Sequence, residues 1–102
     1  MNLHRVPAAE RAAILDRFVA DSGIVARELS LGGLAIDAAR VRCPVLVQAA
    51  AEDRFFPPAV ERRIAERYGA ALRVYERHAH FVVMEPGWEE IAGDAERWLA
   101  AR

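Results

Sequence analysis

Asp53, in the stretch AAEDRFFPP (50–58), and His80, in ERHAHF (76–81), are the side chains whose types could do chemistry together. An imidazole becomes a general base when a carboxylate accepts a hydrogen bond from its far ring nitrogen, which fixes the tautomer and stabilises the imidazolium formed during reaction. Glu52, beside Asp53, is a second acid that could serve. His78 forms H-x-H with His80 and, with Asp53 or Glu85, suggests a metal site, but no further His or Cys cluster completes a tetrahedral set, so no metal is expected. His78 is instead expected to line a pocket or face solvent. Cys43 precedes Pro44 and is read as a small buried apolar residue at the opposite end of a strand from Asp53. Phe55 and Phe56 suit either an acyl or aromatic pocket or simple packing.

The elements that must hold these residues follow from periodicity. PAAERAAILDRFVAD (7–21) opens with a proline suited to a first helical turn and carries Ile14, Leu15, Phe18 and Val19 on one stripe, predicting an amphipathic helix. IVARELSLGG (24–33) predicts a second short helix with Ile24, Val25, Leu29 and Leu31 on one side, ending at Gly32-Gly33. LAIDAARVRC (34–43) reads as a connection, and PVLVQAA (44–50) as a strand buried on both faces. Pro57 and Pro58 introduce AVERRIAERYG (59–69), a helix with Val60, Ile64, Ala65 and Tyr68 inward, Arg62, Arg63 and Arg67 on a solvated face, and Gly69 at the C-cap. ALRVYE (71–76) supplies a second strand and RHAHFVVME (77–85) an irregular stretch. PGWEEIAGDAERWLAAR (86–102) gives a closing helix with Trp88, Ile91, Ala92, Ala95, Trp98 and Leu99 on one face. A strand-helix-strand unit of this length predicts a parallel pair with a right-handed crossover, so Asp53 and His80 leave the same edge of the sheet.

With these residues in place, the sequence resembles the α/β-hydrolase family. CPVLVQAAAEDRFFPP (43–58) is similar to the family's penultimate strand and acid loop, with Asp53 followed by Pro57; VYERHAHFVVMEPGW (74–88) is similar to its last strand and histidine loop, with His80 followed by Phe81 and the EPGW entry to the final helix. The likeness favours Asp53 over Glu52 as the acid. It implies a partial α/β-hydrolase fold: residues 41–102 form the C-terminal strand-helix-strand-helix part, and residues 1–40 a helical lid-end segment and connection. It implies Asp53 and His80 as the acid and base of a Ser-His-Asp triad acting on esters, amides or similar carbonyl compounds. Two positions depart from the family, Ala50 and Ala79 standing where Gly is usual, so both must avoid backbone conformations that only Gly adopts cheaply. The larger departure is that the serines, Ser22 and Ser30, fall in or beside predicted helices and no G-x-S-x-G elbow is present. The resemblance therefore implies a nucleophile and oxyanion hole supplied from upstream of Met1, and a chain inactive by itself.

The bulk properties constrain the remainder. The 102 residues suffice for one modest domain. A formal net charge of -1, with 14 basic residues that are all Arg, offers no basic field for nucleic acid or acidic lipid. One cysteine excludes an intramolecular disulfide framework, and no apolar run is long enough to span a membrane, which together suggest a soluble, cytoplasmic protein without a cofactor. The expected partners are a small-molecule substrate once the missing part is supplied, and either a complementing N-terminal polypeptide or a second copy. Two strands cut from a larger sheet leave an edge unpaired, so the other function class open to the sequence is a noncatalytic interaction or dimerisation module.

Overall fold

The computed structural model describes residues 3–32 and 35–102. Its centre is a parallel pair of strands, β1 (Leu46–Ala50) and β2 (Ala71–Tyr75), in a register that sets Leu46 opposite Ala71 and Ala50 opposite Tyr75. Parallel pairing demands a crossover, and the third helix in chain order, α3 (Pro58–Tyr68), supplies it. Pro58 stands in its first turn, where a missing N–H costs nothing, and Gly69 ends it at φ +58, a left-handed cap whose N–H reaches back to Glu66 O. The closing helix α4 (Trp88–Ala100) starts from Gly87 at φ +94. Strand, helix, strand and helix thus follow one another from residue 46 as the periodicity predicts, giving a small mixed α/β unit.

Side chains alternate across the sheet. Gln48 donates to the carbonyl of Ile91 on α4 at 2.9 Å and to the Tyr75 hydroxyl at 2.9 Å, and that hydroxyl donates to Asp94 Oδ2 at 2.9 Å. Burial pushes the Tyr75 phenol above its ordinary pKa, and the Asp94 carboxylate adds to the rise, so it remains a donor. Val47 and Ala49 project to the other face and are buried, as are Ala65 of α3 and Ile91 of α4. β1 is well covered. β2 is not: Ala71, Arg73 and Val74 are exposed, so the second strand lacks the cover the first enjoys.

The first forty residues differ most from expectation. Helix α1 (Ala8–Leu15) stops at Asp16, well short of residue 21, because Arg17 and Phe18 turn back onto Ile14 O and Leu15 O in tighter three-residue bonds. Helix α2 (Gly23–Ser30) is capped by the Ser22 hydroxyl, which accepts from Val25 N–H at 3.3 Å. Neither helix buries a side chain; Phe18, Val19, Ile24, Leu29 and Leu31 are all exposed. Gly32 takes the left-handed conformation expected at the helix end, while Gly33 and Leu34 lie outside the described residues. The connection that follows contains a 3₁₀ turn, Ala38–Arg40, and Arg67, on the exposed face of α3, donates across to Ile36 O at 2.6 Å.

The unexpected part of the core is the start of the chain. Leu3 and Val6, 2% and 1% exposed, are more deeply enclosed than Ile91. Arg11 holds their turn by donating to Val6 O and His4 O at 2.9 and 3.1 Å. Two further expectations are corrected. Cys43 is exposed, because β1 begins only at Leu46 and the preceding residues lie outside the sheet. Trp88, Ala92 and Leu99 of α4 face solvent, since only two strands are present to receive its apolar stripe. His78, 5% exposed, is largely withdrawn from solvent and lines a cavity with Arg77, Pro86 and Gly87.

The chain exposes 7802 Å², roughly 2,000 Å² more than the ~5,700 Å² expected of a compact monomer of this mass. Its radius of gyration, 15.5 Å, likewise exceeds the about 13 Å typical of 100 residues. Among the described residues no helix is long and apolar enough to cross a membrane.

Candidate active site

Parallel pairing sends the chain out of β1 and β2 at one edge, and the ladder continues beyond both strands. Ala51 N–H donates to Tyr75 O at 3.0 Å and Glu52 N–H to His78 O at 2.9 Å, so the two loops leave side by side. Asp53 is the next residue on one side and His80 two residues on along the other. Their side chains meet: His80 Nδ1 lies 2.9 Å from Asp53 Oδ2. Both expected site residues are therefore brought together.

Asp53 is held from behind. Its Oδ1 accepts from Phe55 N–H at 2.7 Å and Phe56 N–H at 3.0 Å, the turn a short acidic side chain makes with backbone two and three residues on. Burial alone would raise its pKa; the bond from His80 and the amides of Phe56 and Phe55 outweigh it and hold the carboxyl below its usual value. An ionised Asp53 can only accept, so Nδ1 carries a proton, and in the neutral ring the lone pair is left on Nε2. Glu61, in the first turn of α3, is shifted the opposite way, by burial first and by the Asp53 charge second.

Glu52 is spent elsewhere. Arg5 grips both of its oxygens, one from Nε at 2.7 Å and the other from Nη2, and His4 Nε2 lies 3.5 Å away. The Arg5 bond is the main reason its carboxyl is held low. The adjacent acids thus have separate tasks: Asp53 meets the imidazole, and Glu52 ties the N-terminal turn to the acid loop.

All four phenylalanines of the chain gather here. The rings of Phe55, Phe56 and Phe81 have centroids 5.1, 5.8 and 5.4 Å from that of His80, and Phe18 stacks on Phe81 at 5.8 Å. Phe55 and Phe56 also wall a cavity of about 410 Å³ whose far side is Val25, Ala26 and Leu29 of α2. Exposed helix faces that bury nothing on their own account therefore border an apolar hollow beside the imidazole.

The remaining side chains singled out from sequence do not converge on this pair. His78 turns toward Glu85, with Nδ1 3.4 Å from Oε2 and outside hydrogen-bonding geometry, so the two histidines of H-x-H have different partners. Among the described residues no three His, Cys, Asp or Glu side chains cluster as a metal would require. Ser22 caps α2 and Ser30 donates to Ala26 O at 2.7 Å, each hydroxyl being used within its own helix. Ala50 and Ala79 are fully enclosed and neither has positive φ; the loop's left-handed residue is Arg77, at φ 61. Sequence reasoning weighed Glu85 only as a metal ligand beside H-x-H, and missed that it is buried and accepts the Ala79 and Phe81 amides. Comparison with protein-family models, curated proteins and solved structures gives no match.

Proposed function

We propose that this chain is the C-terminal part of an α/β-hydrolase, contributing the acid and the general base of a Ser-His-Asp triad to a site whose nucleophile and oxyanion donors come from another stretch of polypeptide. The observation that carries this reading is the Asp53–His80 contact of 2.9 Å, with Asp53 anchored by two backbone amides and its pKa held low. In that role His80 Nε2 takes the proton of the attacking hydroxyl and returns it to the leaving group, and Asp53 stabilises the imidazolium between these steps. The ring of phenylalanines and the hollow below α2 favour a carbonyl substrate with an apolar acyl or aryl group.

The excess of exposed surface and the free edge on each strand support a missing partner. The purified chain alone is expected to show no His80-dependent hydrolysis of a panel of p-nitrophenyl esters. Turnover is expected when it is mixed with a polypeptide carrying the central strands and G-x-S-x-G elbow of an α/β-hydrolase, and is lost again in His80→Ala. His80-dependent hydrolysis by the chain alone would refute the assignment.

The exposed apolar faces of α1 and α2 favour a second reading, a noncatalytic module that pairs with a second copy. Sedimentation separates the two cases: a concentration-dependent dimer that never yields turnover with the complementing polypeptide supports the module, and a stable monomer counts against it.

A further inference from the structure

Glu85 is a carboxyl side chain only 1% exposed, five residues beyond His80. A buried carboxyl is costly unless hydrogen bonds compensate it, so its partners explain why it is there. Oε2 accepts from Ala79 N–H at 2.7 Å and Oε1 from Phe81 N–H at 3.1 Å. These amides belong to the peptide planes before Ala79 and after His80, and a planar two-oxygen acceptor fixes both at once. Fixing them sets the direction in which the Cα–Cβ bond of His80 leaves the backbone. The nearby His78 is not an equivalent partner, because its Nδ1 makes no hydrogen bond to the carboxyl.

We infer that Glu85 is the positioning residue of the His80 imidazole: its carboxylate brackets the backbone on both sides of that residue and so keeps Nδ1 on Asp53 Oδ2. The inference rests on the proposed reading of His80 as a general base. It also accounts for a loop without regular secondary structure holding a side chain at hydrogen-bonding distance from an acid on another loop. Glu85 touches no reacting atom in this scheme. Glutamine at 85 keeps the shape but offers one acceptor oxygen and one NH₂, so one of the two amides faces a donor.

Nuclear magnetic resonance of the full chain, with the imidazole neutral, reads the effect. The wild type is expected to show a low-field Nδ1 proton on His80 and ring nitrogen shifts of the Nδ1–H tautomer, both lost in Asp53→Asn. In Glu85→Gln that proton is expected to disappear or to exchange with water roughly tenfold faster, while helix content and the slow exchange of the Val47–Ala50 amides stay as in the wild type. An unchanged proton in Glu85→Gln, with the Asp53→Asn effect present, overturns the inference alone; a His80 tautomer indifferent to Asp53→Asn overturns the triad reading beneath it. Should Glu85→Gln fail to fold, the unmodified chain decides. Through-hydrogen-bond couplings from the Ala79 and Phe81 nitrogens to the Glu85 carboxyl carbon support the bracket, and their absence overturns it.

Discussion

Replacing Asp53 by asparagine separates the electrostatic part of the pair from its shape. The carboxylate makes three hydrogen bonds, from His80 Nδ1, Phe55 N–H and Phe56 N–H. The amide oxygen can keep the two backbone donors, which turns its NH₂ toward His80. Nδ1 must then accept, the ring proton moves to Nε2, and the lone pair a nucleophile would need is gone. Charge-assisted bonds are about twice as strong as neutral ones, so the exchange is expected to cost about 2 kcal/mol. For a chain of this size that lowers Tm by roughly 10 °C. Thermal unfolding gives the stability, nitrogen shifts give the tautomer, and ester turnover in the complemented assembly should fall on the order of 10⁴-fold, as when a triad loses its acid. An Asp53→Asn protein with wild-type Tm and an Nδ1–H imidazole would show that the pair is not organised by charge.

Asp53, Asp94 and Glu52 all have carboxyls held below their ordinary values in the folded chain. Groups lowered on folding bind fewer protons than in the unfolded chain, so their stabilisation is fully present above about pH 5 and lost as pH falls through the folded values; acid denaturation followed by circular dichroism should be blunted in Asp53→Asn. Tyr75→Phe deletes the hydroxyl that links Gln48 to Asp94 and should cost about 1–2 kcal/mol in a urea melt with little change in m-value, since the sheet survives. Gly87→Ala places a Cβ at φ +94 and 3.3 Å from His78 Nε2; the left-handed conformation alone costs roughly 1–2 kcal/mol, so the urea midpoint should drop further than for alanine at the unhindered Gly23.

The parts of this protein legible in its sequence are those coded by neighbours. Pro57-Pro58 and Gly69 delimit α3 by local backbone chemistry, and two short apolar runs separated by one helix leave a parallel pair as the economical arrangement. Asp53 and His80 were legible for the same reason: strand direction alone puts their loops at one edge. Leu3 and Val6 were not legible as core, although their three-residue spacing ahead of Pro7 is a faint signal, because the turn that carries them is tied down by Arg5 on Glu52, 47 residues along the chain. The early stop of α1 is equally nonlocal. Its apolar stripe continues to Val19, but Val19 stands exposed and Phe18 meets the Phe81 ring from beyond the helix end, and a helix of this length depends on packing more than on propensity. The role of Glu85 escaped detection because a carboxyl that serves backbone amides has no side-chain partner for spacing to reveal.

Geometry and stability are therefore drawn from different ranges of the chain. The Asp53–His80 contact draws on the β1–β2 register, the backbone bonds that extend it to Glu52 and His78, the turn that lets Asp53 accept two amides, and the Glu85 carboxyl that accepts the Ala79 and Phe81 amides. All of these arise between residues 46 and 85. The rest of the body is less well covered, since α1 and α2 bury nothing and β2 is open along most of its length. An acid–imidazole pair formed within a few tens of residues can thus be fully arranged while the body around it stays under-buried, and covering that surface would add stability without having to move either side chain.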